Sequence, residues 1–443
     1  MTPPPSPPPA PQSVAAPTPE PLPAGVPDSA AGHQLAWVLG ALASAPGEAD
    51  VASHFAPEAL AQLPAAKLVA VFGQLAKGSP YELEKVAPPN DASPELVAAV
   101  IRSAQGPRLS VHIGVEKATP NRIQVLLFRP VVDAKPAASW DEVQGTVRAV
   151  APLVSFLAAE LDGKKCVPLA SIEPEKPLAL GSAFKLYVLD ALAAQIAAGK
   201  HGWDDPVPIR DALKSLPSGD MRNEPEGKTF SVRHFAEKMI SVSDNTATDH
   251  LLALVGRTHV EGAARATGHA APSRLVPFLS TREMFTLKLL ATPDERSAYV
   301  AADVAHKRKL LEAYGQRDLA PAMAQAAGWT RPVMIDAIEW PASAEDVCRV
   351  MIDLHARADA PATAPIGAIL SINPGIPDEK KLYRYVGFKG GSEPGVLNLS
   401  WLLQRARDGK WLFLSVGFND TKSAIDESRA IAAATTARDF LGQ

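Results

Sequence analysis

The sequence predicts an α/β protein in which an antiparallel sheet packs against a helical block, with a smaller α+β unit preceding it. Residues 203–360 mostly have the apolar spacing of helices. Three strand-like runs follow this block, at 383–387, 396–403 and 411–418, and one strand-like run precedes it at 166–172. This order is typical of a sandwich whose two chain ends meet on one sheet.

Length and charge limit what the protein can do. The chain has 443 residues, of which 47% are hydrophobic, and a formal net charge of −4. This length allows two domains with extra segments. We expect no nucleic-acid partner and no membrane span, since the chain has neither a basic field nor an apolar run of spanning length. Cys166 and Cys348 lack metal-type spacing, which favours buried free thiols and leaves a single disulfide open.

Residues 1–31 are rich in proline and alanine. This composition favours solvated polyproline II, so we predict a disordered tail, with a docking segment for a proline-binding module as the alternative. The tail has neither a basic n-region nor an apolar h-region, and it does not read as a signal peptide. The compartment is left open, although an exported or periplasmic protein is compatible with such a tail.

Residues 32–130 are predicted to form the small α+β domain. Apolar spacing indicates helices near 35–42, 68–75 and 95–103, and strand-like runs at 109–115 and 123–128 indicate a hairpin. The segment holds no catalytic group of residues. Its apolar helix faces are typical of an ordinary core, and binding of an apolar ligand or dimerisation are the alternatives.

Residues 131–139 are predicted to be a linker, and residues 140–443 to be the main domain. Apolar positions across 141–160 predict a long helix at its start. The run Arg407-Asp408-Gly409-Lys410 predicts a hairpin turn between the last two strands, and 425–441 predicts a closing helix.

The most informative motif is Gly181-Ser182-Ala183-Phe184-Lys185, which contains the only Ser-x-x-Lys of the sequence. It stands at the predicted start of a helix, so both side chains project from the first turn beside free backbone N–H groups. A serine hydroxyl needs a base, and lysine can be one when burial and nearby positive charge keep it neutral. Lys185 interrupts an otherwise apolar helix, which favours a nucleophile and its base over an N-cap serine followed by a surface lysine.

Two further motifs follow in chain order. Ser243-Asp244-Asn245 lies between two predicted helices, and Lys389-Gly390-Gly391-Ser392 lies on a predicted strand near the C-terminus. Alone, the first is an ordinary helix cap and the second a glycine-rich turn with a solvated lysine. The two glycines also permit a ligand to approach the strand backbone closely.

The three motifs together resemble the active-site set of the serine β-lactamases and penicillin-binding proteins. The resemblance covers about residues 140–443 and implies a β-lactamase-like sandwich. It implies that Ser182 is the nucleophile, Lys185 its base, Ser243 the relay of a proton to the leaving group and Lys389 an electrostatic anchor for the substrate.

The resemblance also implies a substrate-binding set. Asn245 would bond the substrate's amide, and the backbone N–H groups of Ser182 and Ser392, next to Gly391, would form the oxyanion hole. The family usually has Thr or Ser after the anchoring lysine, and this chain has Gly390. This departure removes a hydroxyl that would help to hold a substrate carboxylate.

The two-domain layout resembles the lactamase-like proteins associated with clavulanic acid gene clusters. This resemblance rests on element order and implies a cystatin- or steroid-isomerase-like fold for the N-terminal domain.

One feature of the resembling lactamases is missing. They carry a glutamate four residues before an asparagine, and it activates the deacylating water. No Glu-x-x-x-Asn follows Asn245, and the nearest candidate, Glu283, is more typical of a structural residue. Fast β-lactam hydrolysis is therefore not expected. Residues 290–330 are expected to be an extra helical insertion.

We conclude from the sequence that the chain is a serine hydrolase that forms an acyl-enzyme on Ser182, with a β-lactam, a D-amino-acid peptide or a small ester as its small-molecule partner. The alternative is a catalytically weak module that binds or senses β-lactams or cell-wall fragments. The histidines are scattered, and no metal or cofactor is predicted.

Overall fold

The computed structural model describes residues 22–86, 94–105, 108–131, 133–216, 218–326, 328–378 and 380–443. The chain divides into two compact units, Met1–Val132 and Asp133–Gln443. Most of the predicted tail, residues 1–21, lies outside the described residues. The first helix begins at Ala30, one residue before the predicted end of that tail. The domain bounds drawn from the sequence stay predictions.

The first unit is an antiparallel four-stranded sheet with helices packed on one face. Its elements are α1 (Ala30–Ala43), α2 (Glu48–His54), α3 (Pro57–Gln62), α4 (Ala65–Leu75), β1 (Tyr81–Val86), β2 (Leu96–Ser103), β3 (Arg108–Val115) and β4 (Ile123–Pro130). The strands pair in chain order, β1-β2-β3-β4. Its core joins Leu35 and Phe72 of the helices to Ile101 and Val111 of the sheet.

The third helix expected in this unit, over 95–103, is wrong. The segment is the strand β2, which pairs with β1 on one side and β3 on the other. Its side chains alternate in burial, with Val97, Ala99 and Ile101 in the core. Short apolar runs do not distinguish a helix from a strand by spacing alone, and here pairing on both sides decides for the strand.

The second unit is a larger α/β sandwich. It begins with α5 (Trp140–Arg148), β5 (Leu153–Asp162), β6 (Lys165–Ile172), β7 (Leu178–Ala179), a 3₁₀ turn (Gly181–Phe184) and α6 (Lys185–Ala197). The helical block and its short strands are β8 (Pro206–Pro208), β9 (Thr229–Ser231), α7 (Val232–Ser241), α8 (Asn245–Val255), α9 (Arg257–Ala266), α10 (Thr281–Phe285), a π-helical turn (Thr286–Leu290), α11 (Pro293–Ala301), α12 (Val304–Gly315), α13 (Ala320–Ala326), β10 (Pro341–Ala342), α14 (Ala344–Ala358) and α15 (Pro365–Ser371). The unit ends with β11 (Tyr383–Glu393), β12 (Val396–Arg405), β13 (Trp411–Asn419) and α16 (Glu427–Gly442).

The main sheet has five antiparallel strands in the order β11-β12-β13-β5-β6. Its two faces belong to two cores. Phe156 of β5 packs with the terminal helices α5 and α16, whereas the next residue, Leu157, packs with the helical block. This arrangement confirms the predicted α/β sandwich of antiparallel sheet and helical block, with both ends of the domain on one sheet.

The single long helix expected over 141–160 is wrong. The chain forms α5 and then the central strand β5, which pairs with β13 and β6. Pro152 lies between them, and proline removes a backbone donor and disfavours helix in the residue before it. Because β5 is buried on both faces, its apolar run lacks the alternation that marks a half-exposed strand.

Cys166 and Cys348 form a disulfide, which corrects the expectation of two free thiols. The bond joins β6 to α14, and the Cα atoms are 6.5 Å apart. The sequence separation of 182 residues explains why the pairing was not visible before the fold was known. No helix among the described residues is long and apolar enough to cross a membrane.

Candidate active site

Ser182 lies at the point where a short strand turns into helix α6. Gly181, which precedes it, has a φ of +52°, a conformation that favours glycine. The 3₁₀ turn is anchored from behind, because Phe184 stacks on Trp340 with ring centroids 3.7 Å apart. This packing leaves Ser182 half-buried at the start of a helix that is almost wholly buried.

Lys185 is fully buried and lies at the centre of the site. Its Nζ is 3.0 Å from Ser182 Oγ and 3.0 Å from Ser243 Oγ. It also donates to the carbonyl oxygen of Ser243 and to Asn245 Oδ1, each at 2.7 Å. An ammonium has three N–H groups for these four oxygens, whereas a neutral amine has a lone pair that can accept from a hydroxyl. None of the four partners is a carboxylate.

The pKa of Lys185 is held well below its ordinary value of 10.5, first by burial and second by the positive charge of Lys389. Both causes disfavour the protonated form. The arrangement therefore favours a neutral amine within hydrogen-bonding distance of a serine hydroxyl.

Ser243 lies in the loop between α7 and α8, in a left-handed conformation with φ +58°. Non-glycine residues adopt this conformation only where the surroundings impose it. The next residue, Asp244, imposes it here: its carboxylate caps α8 by accepting from the N–H of Ala247 at 2.7 Å and accepts from the N–H of Met221 at 2.9 Å. Asp244 is fully buried, and its role as a clamp on this loop was not assigned from the sequence.

Lys389 of β11 also contacts the side chain of Ser243. Its Nζ donates to Ser243 Oγ at 3.0 Å and to the carbonyl oxygen of Gly390 at 2.6 Å. Burial lowers the pKa of Lys389 to about 7. The hydroxyl of Ser243 is therefore bracketed by two amines whose proton affinities are both reduced, which suits it to pass a proton.

Asn245 is the first residue of α8 and is buried. Its Oδ1 accepts from Lys185, and its Nδ2 donates to the carbonyl oxygen of Leu216 at 3.1 Å. One N–H of the side-chain amide is left for a further acceptor. The residue thus orients Lys185 and keeps a donor that can meet a substrate.

Strand β11 passes very close to the Ser182 turn. A Cβ atom at Gly391 would lie 2.4 Å from the backbone nitrogen of Ser182, and one at Gly181 would lie 2.8 Å from the backbone nitrogen of Ser392. Both positions therefore need glycine, and the close approach brings the two backbone N–H groups of the predicted oxyanion hole together. The sequence indicated the glycines of β11 but not the reason for Gly181.

Glu283, the candidate for a water-activating glutamate, is engaged in structure. Its Oε1 accepts from Arg257 at 2.6 Å, and its Oε2 accepts from the backbone N–H of Ser280 at 2.8 Å. It also completes the capping box of α10. These contacts occupy both oxygens and account for a residue that is mostly buried.

Sequence reasoning missed Glu339, which contacts the turn that carries Ser182. Its Oε2 accepts from the N–H of Gly181 at 3.2 Å. The available signal was a lone acidic residue in the apolar run Ile338-Glu339-Trp340-Pro341, which is unusual for a buried segment unless the charge is paired.

Two segments of the chain match known protein families. Residues 140–324 match the family model described as the beta-lactamase enzyme family, a range that includes the first two motifs and ends before Lys389. Residues 26–120 match the family described as the N-terminal part of the ORF 12 gene product. A search of the curated proteins found no match.

Several solved structures are similar to this chain. A β-lactamase from Sphaerobacter thermophilus has 19% identity and a TM-score of 0.48, with 69% of this chain and 98% of that one covered. A β-lactamase from Desulfarculus baarsii has 17% identity and a TM-score of 0.46, with coverage of 69% and 100%. The protein designated PBP-A has 12% identity and a TM-score of 0.43, with coverage of 70% and 99%. The family match supports a domain of the serine β-lactamase and penicillin-binding-protein-like superfamily in the second unit of this chain.

Proposed function

We propose that this protein is a serine hydrolase that forms a covalent acyl-enzyme on Ser182. The observation that carries the proposal is the placement of Lys185 Nζ 3.0 Å from both Ser182 Oγ and Ser243 Oγ, without a carboxylate partner among the described residues. The superfamily match supports a serine hydrolase at the level of the family.

The acylation step uses each of these groups once. Ser182 Oγ attacks the substrate carbonyl carbon while its proton passes to the neutral amine of Lys185. The backbone N–H groups of Ser182 and Ser392 stabilise the negative charge that develops on the carbonyl oxygen. As the bond from the carbonyl carbon to the leaving nitrogen or oxygen breaks, Ser243 donates its proton to the leaving group and receives the proton held by Lys185.

The substrate is proposed to be a β-lactam, a D-amino-acid peptide or a small ester. Lys389 supplies positive charge for a substrate carboxylate, and Asn245 supplies one free amide N–H for a substrate carbonyl. Gly390 provides no hydroxyl beside that charge, so the carboxylate is held less firmly than where Thr or Ser follows the lysine. This favours substrates whose recognition depends less on a carboxylate.

The proposal is tested by intact-protein mass spectrometry after incubation with a penicillin, with Ser182→Ala as the matched variant. We expect an adduct of one acyl group on the wild type and none on Ser182→Ala. Equal labelling of both proteins, or no labelling together with no turnover of esters or cephalosporins, would refute it.

A second candidate function is a module that binds or senses such molecules and acylates once or not at all. It is favoured by Glu283, whose two carboxylate oxygens are already engaged by Arg257 and Ser280. The same experiment separates the two: an adduct that persists for hours supports the sensing role, and repeated turnover of any ester or lactam excludes it.

A further inference from the structure

A buried cluster of three charged side chains lies next to the predicted oxyanion hole. Lys288 of the π-helical turn forms ion pairs with Glu339 at 3.3 Å and with Glu393 at the end of β11. The exposed fractions of the three side chains are 0%, 2% and 4%. Burial of this kind is costly for charged groups unless they are well paired, so the cluster calls for an explanation.

The cluster is bonded to the turn that carries Ser182. Glu339 Oε2 accepts from the backbone N–H of Gly181 at 3.2 Å and from its own neighbour, the N–H of Trp340, at 3.0 Å. The carbonyl oxygen of Trp340 in turn accepts from the N–H of Leu180 at 3.2 Å. Glu339 thus fixes the backbone immediately before the nucleophile.

The cluster also contacts β11 next to Ser392, whose backbone N–H is the second donor of the predicted oxyanion hole. Glu393 directly follows Ser392, and its Oε1 accepts from Lys288. Its Oε2 has no hydrogen-bond partner among the described residues. Lys288 therefore ties Glu393 Oε1, at the end of β11, to the cluster.

We propose that Lys288, Glu339 and Glu393 act together as positioning residues that set the distance between the backbone N–H groups of Ser182 and Ser392. Lys288 is the bridge, because it bonds one carboxylate on each side. The inference rests on the proposed function, in which these two N–H groups stabilise the oxyanion.

The charge of the cluster is consistent with this role. Burial, reinforced by the neighbouring carboxylate of Glu339, raises the pKa of Glu393 to about 8. Proton uptake by Glu393 lowers the negative charge of the cluster. A cluster with less negative charge opposes the oxyanion that develops in the hole less strongly.

The test compares acylation rates of variants by a penicillin at several concentrations, which separates the limiting rate constant from the noncovalent binding constant. Glu339→Leu removes the acceptor for Gly181, and Lys288→Met removes the bridge. We expect both to lower the limiting rate constant by about 10²-fold, the effect of a misplacement of about 1 Å, with little change in binding. Glu339→Gln keeps an oxygen for Gly181 and is expected to lose less than tenfold.

Asp190→Asn is the matched control. Asp190 is an equally buried acid on α6, with a side chain 1% exposed. It is paired with Arg357 of α14 and does not contact the turn that carries Ser182. This variant reports what the loss of a buried ion pair does to the domain in general. Acylation by Asp190→Asn is expected to stay within about threefold of the wild type.

Hydrogen–deuterium exchange of the segment 178–186 gives a readout that does not depend on activity. We expect faster exchange at Gly181 in Glu339→Leu than in the wild type and in Asp190→Asn. Absence of any Ser182-dependent adduct on the wild type would refute the proposed function, and the exchange measurement would still decide on the positioning role. Wild-type acylation by folded Glu339→Leu and Lys288→Met, or unchanged exchange at Gly181 in Glu339→Leu, would overturn the inference.

Discussion

The burial of Lys389 makes a prediction about stability that is independent of any substrate. Its side chain is 3% exposed, and burial lowers its pKa from 10.5 to about 7. The unfolded chain binds a proton at this lysine between these two pH values, and the folded chain does not. The free energy of unfolding therefore falls as the pH is lowered through this window, and the loss is complete below pH 7.

The size of the effect follows from the shift. A change from 10.5 to about 7 corresponds to about 5 kcal/mol of destabilisation at pH 6. The substitution Lys389→Met removes this cost and also removes the hydrogen bonds to Ser243 Oγ and to the carbonyl oxygen of Gly390. These two bonds contribute about 1–1.5 kcal/mol each. We expect Lys389→Met to be more stable than the wild type by about 2 kcal/mol at pH 6.

At pH 9.5 the sign reverses. The remaining cost of Lys389 is then only about 1 kcal/mol, which is smaller than the contribution of the lost hydrogen bonds. The variant is expected to be less stable than the wild type by about 1–2 kcal/mol. Urea unfolding of both proteins at the two pH values measures the difference.

Lys410→Met is the control for this comparison. Lys410 is half exposed and pairs with Glu160 on the surface, an interaction worth about 0–1 kcal/mol over this pH range. Its effect should be the same at pH 6 and pH 9.5. A Lys389→Met variant that is less stable than the wild type at pH 6, or whose difference from the wild type does not change with pH, would refute the reasoning.

Three further predictions concern acylation and the disulfide. Gly391→Ala places a Cβ 2.4 Å from the backbone nitrogen of Ser182, so β11 must move. The rate of penicillin acylation, measured by mass spectrometry, should then fall by about 10²-fold, and an unchanged rate would contradict the close approach. The acylation rate should rise with pH and level off well below pH 10.5, because the pKa of Lys185 is lowered; a midpoint near 10.5 in the pH–rate profile would contradict this. Replacing both Cys166 and Cys348 with Ala should lower the free energy of unfolding by about 2–5 kcal/mol, measured by urea unfolding; equal stability would show that the crosslink does not constrain the unfolded chain.

The motifs of the active site could be predicted from the sequence because each is short and local. Ser182 and Lys185 are one turn apart, and Ser243 and Asn245 flank a single cap. The sheet brings Lys389 to these residues, so local sequence patterns do not predict the contact. The resemblance to the serine β-lactamases predicted it. Strand and helix assignments in the main domain were reliable where runs were long, as in β12 and β13.

Other features could not be read from local patterns. The strands β2 and β5 are buried in apolar runs whose spacing fits a helix as well, and their neighbours in the sheet decide the outcome. The disulfide and the Lys288 cluster join residues that are far apart in sequence. Glu339 was visible only as an acidic residue in an apolar run, and its meaning depends on Gly181, which lies across the fold.

The two buried lysines, Lys185 and Lys389, contact the same hydroxyl, that of Ser243. Burial disfavours the protonated form of both lysines, and the positive charge that Lys389 carries below about pH 7 lowers the pKa of Lys185 further. The amine that must accept the Ser182 proton thus has a pKa low enough to favour its unprotonated form, and it lies close enough to react. Burial lowers the pKa values that the chemistry needs, but it also lowers the stability of the fold. Such a loss of stability is expected where activity requires unfavourable electrostatics. The increased stability of Lys389→Met, together with weakened acylation, would be the direct signature of that trade.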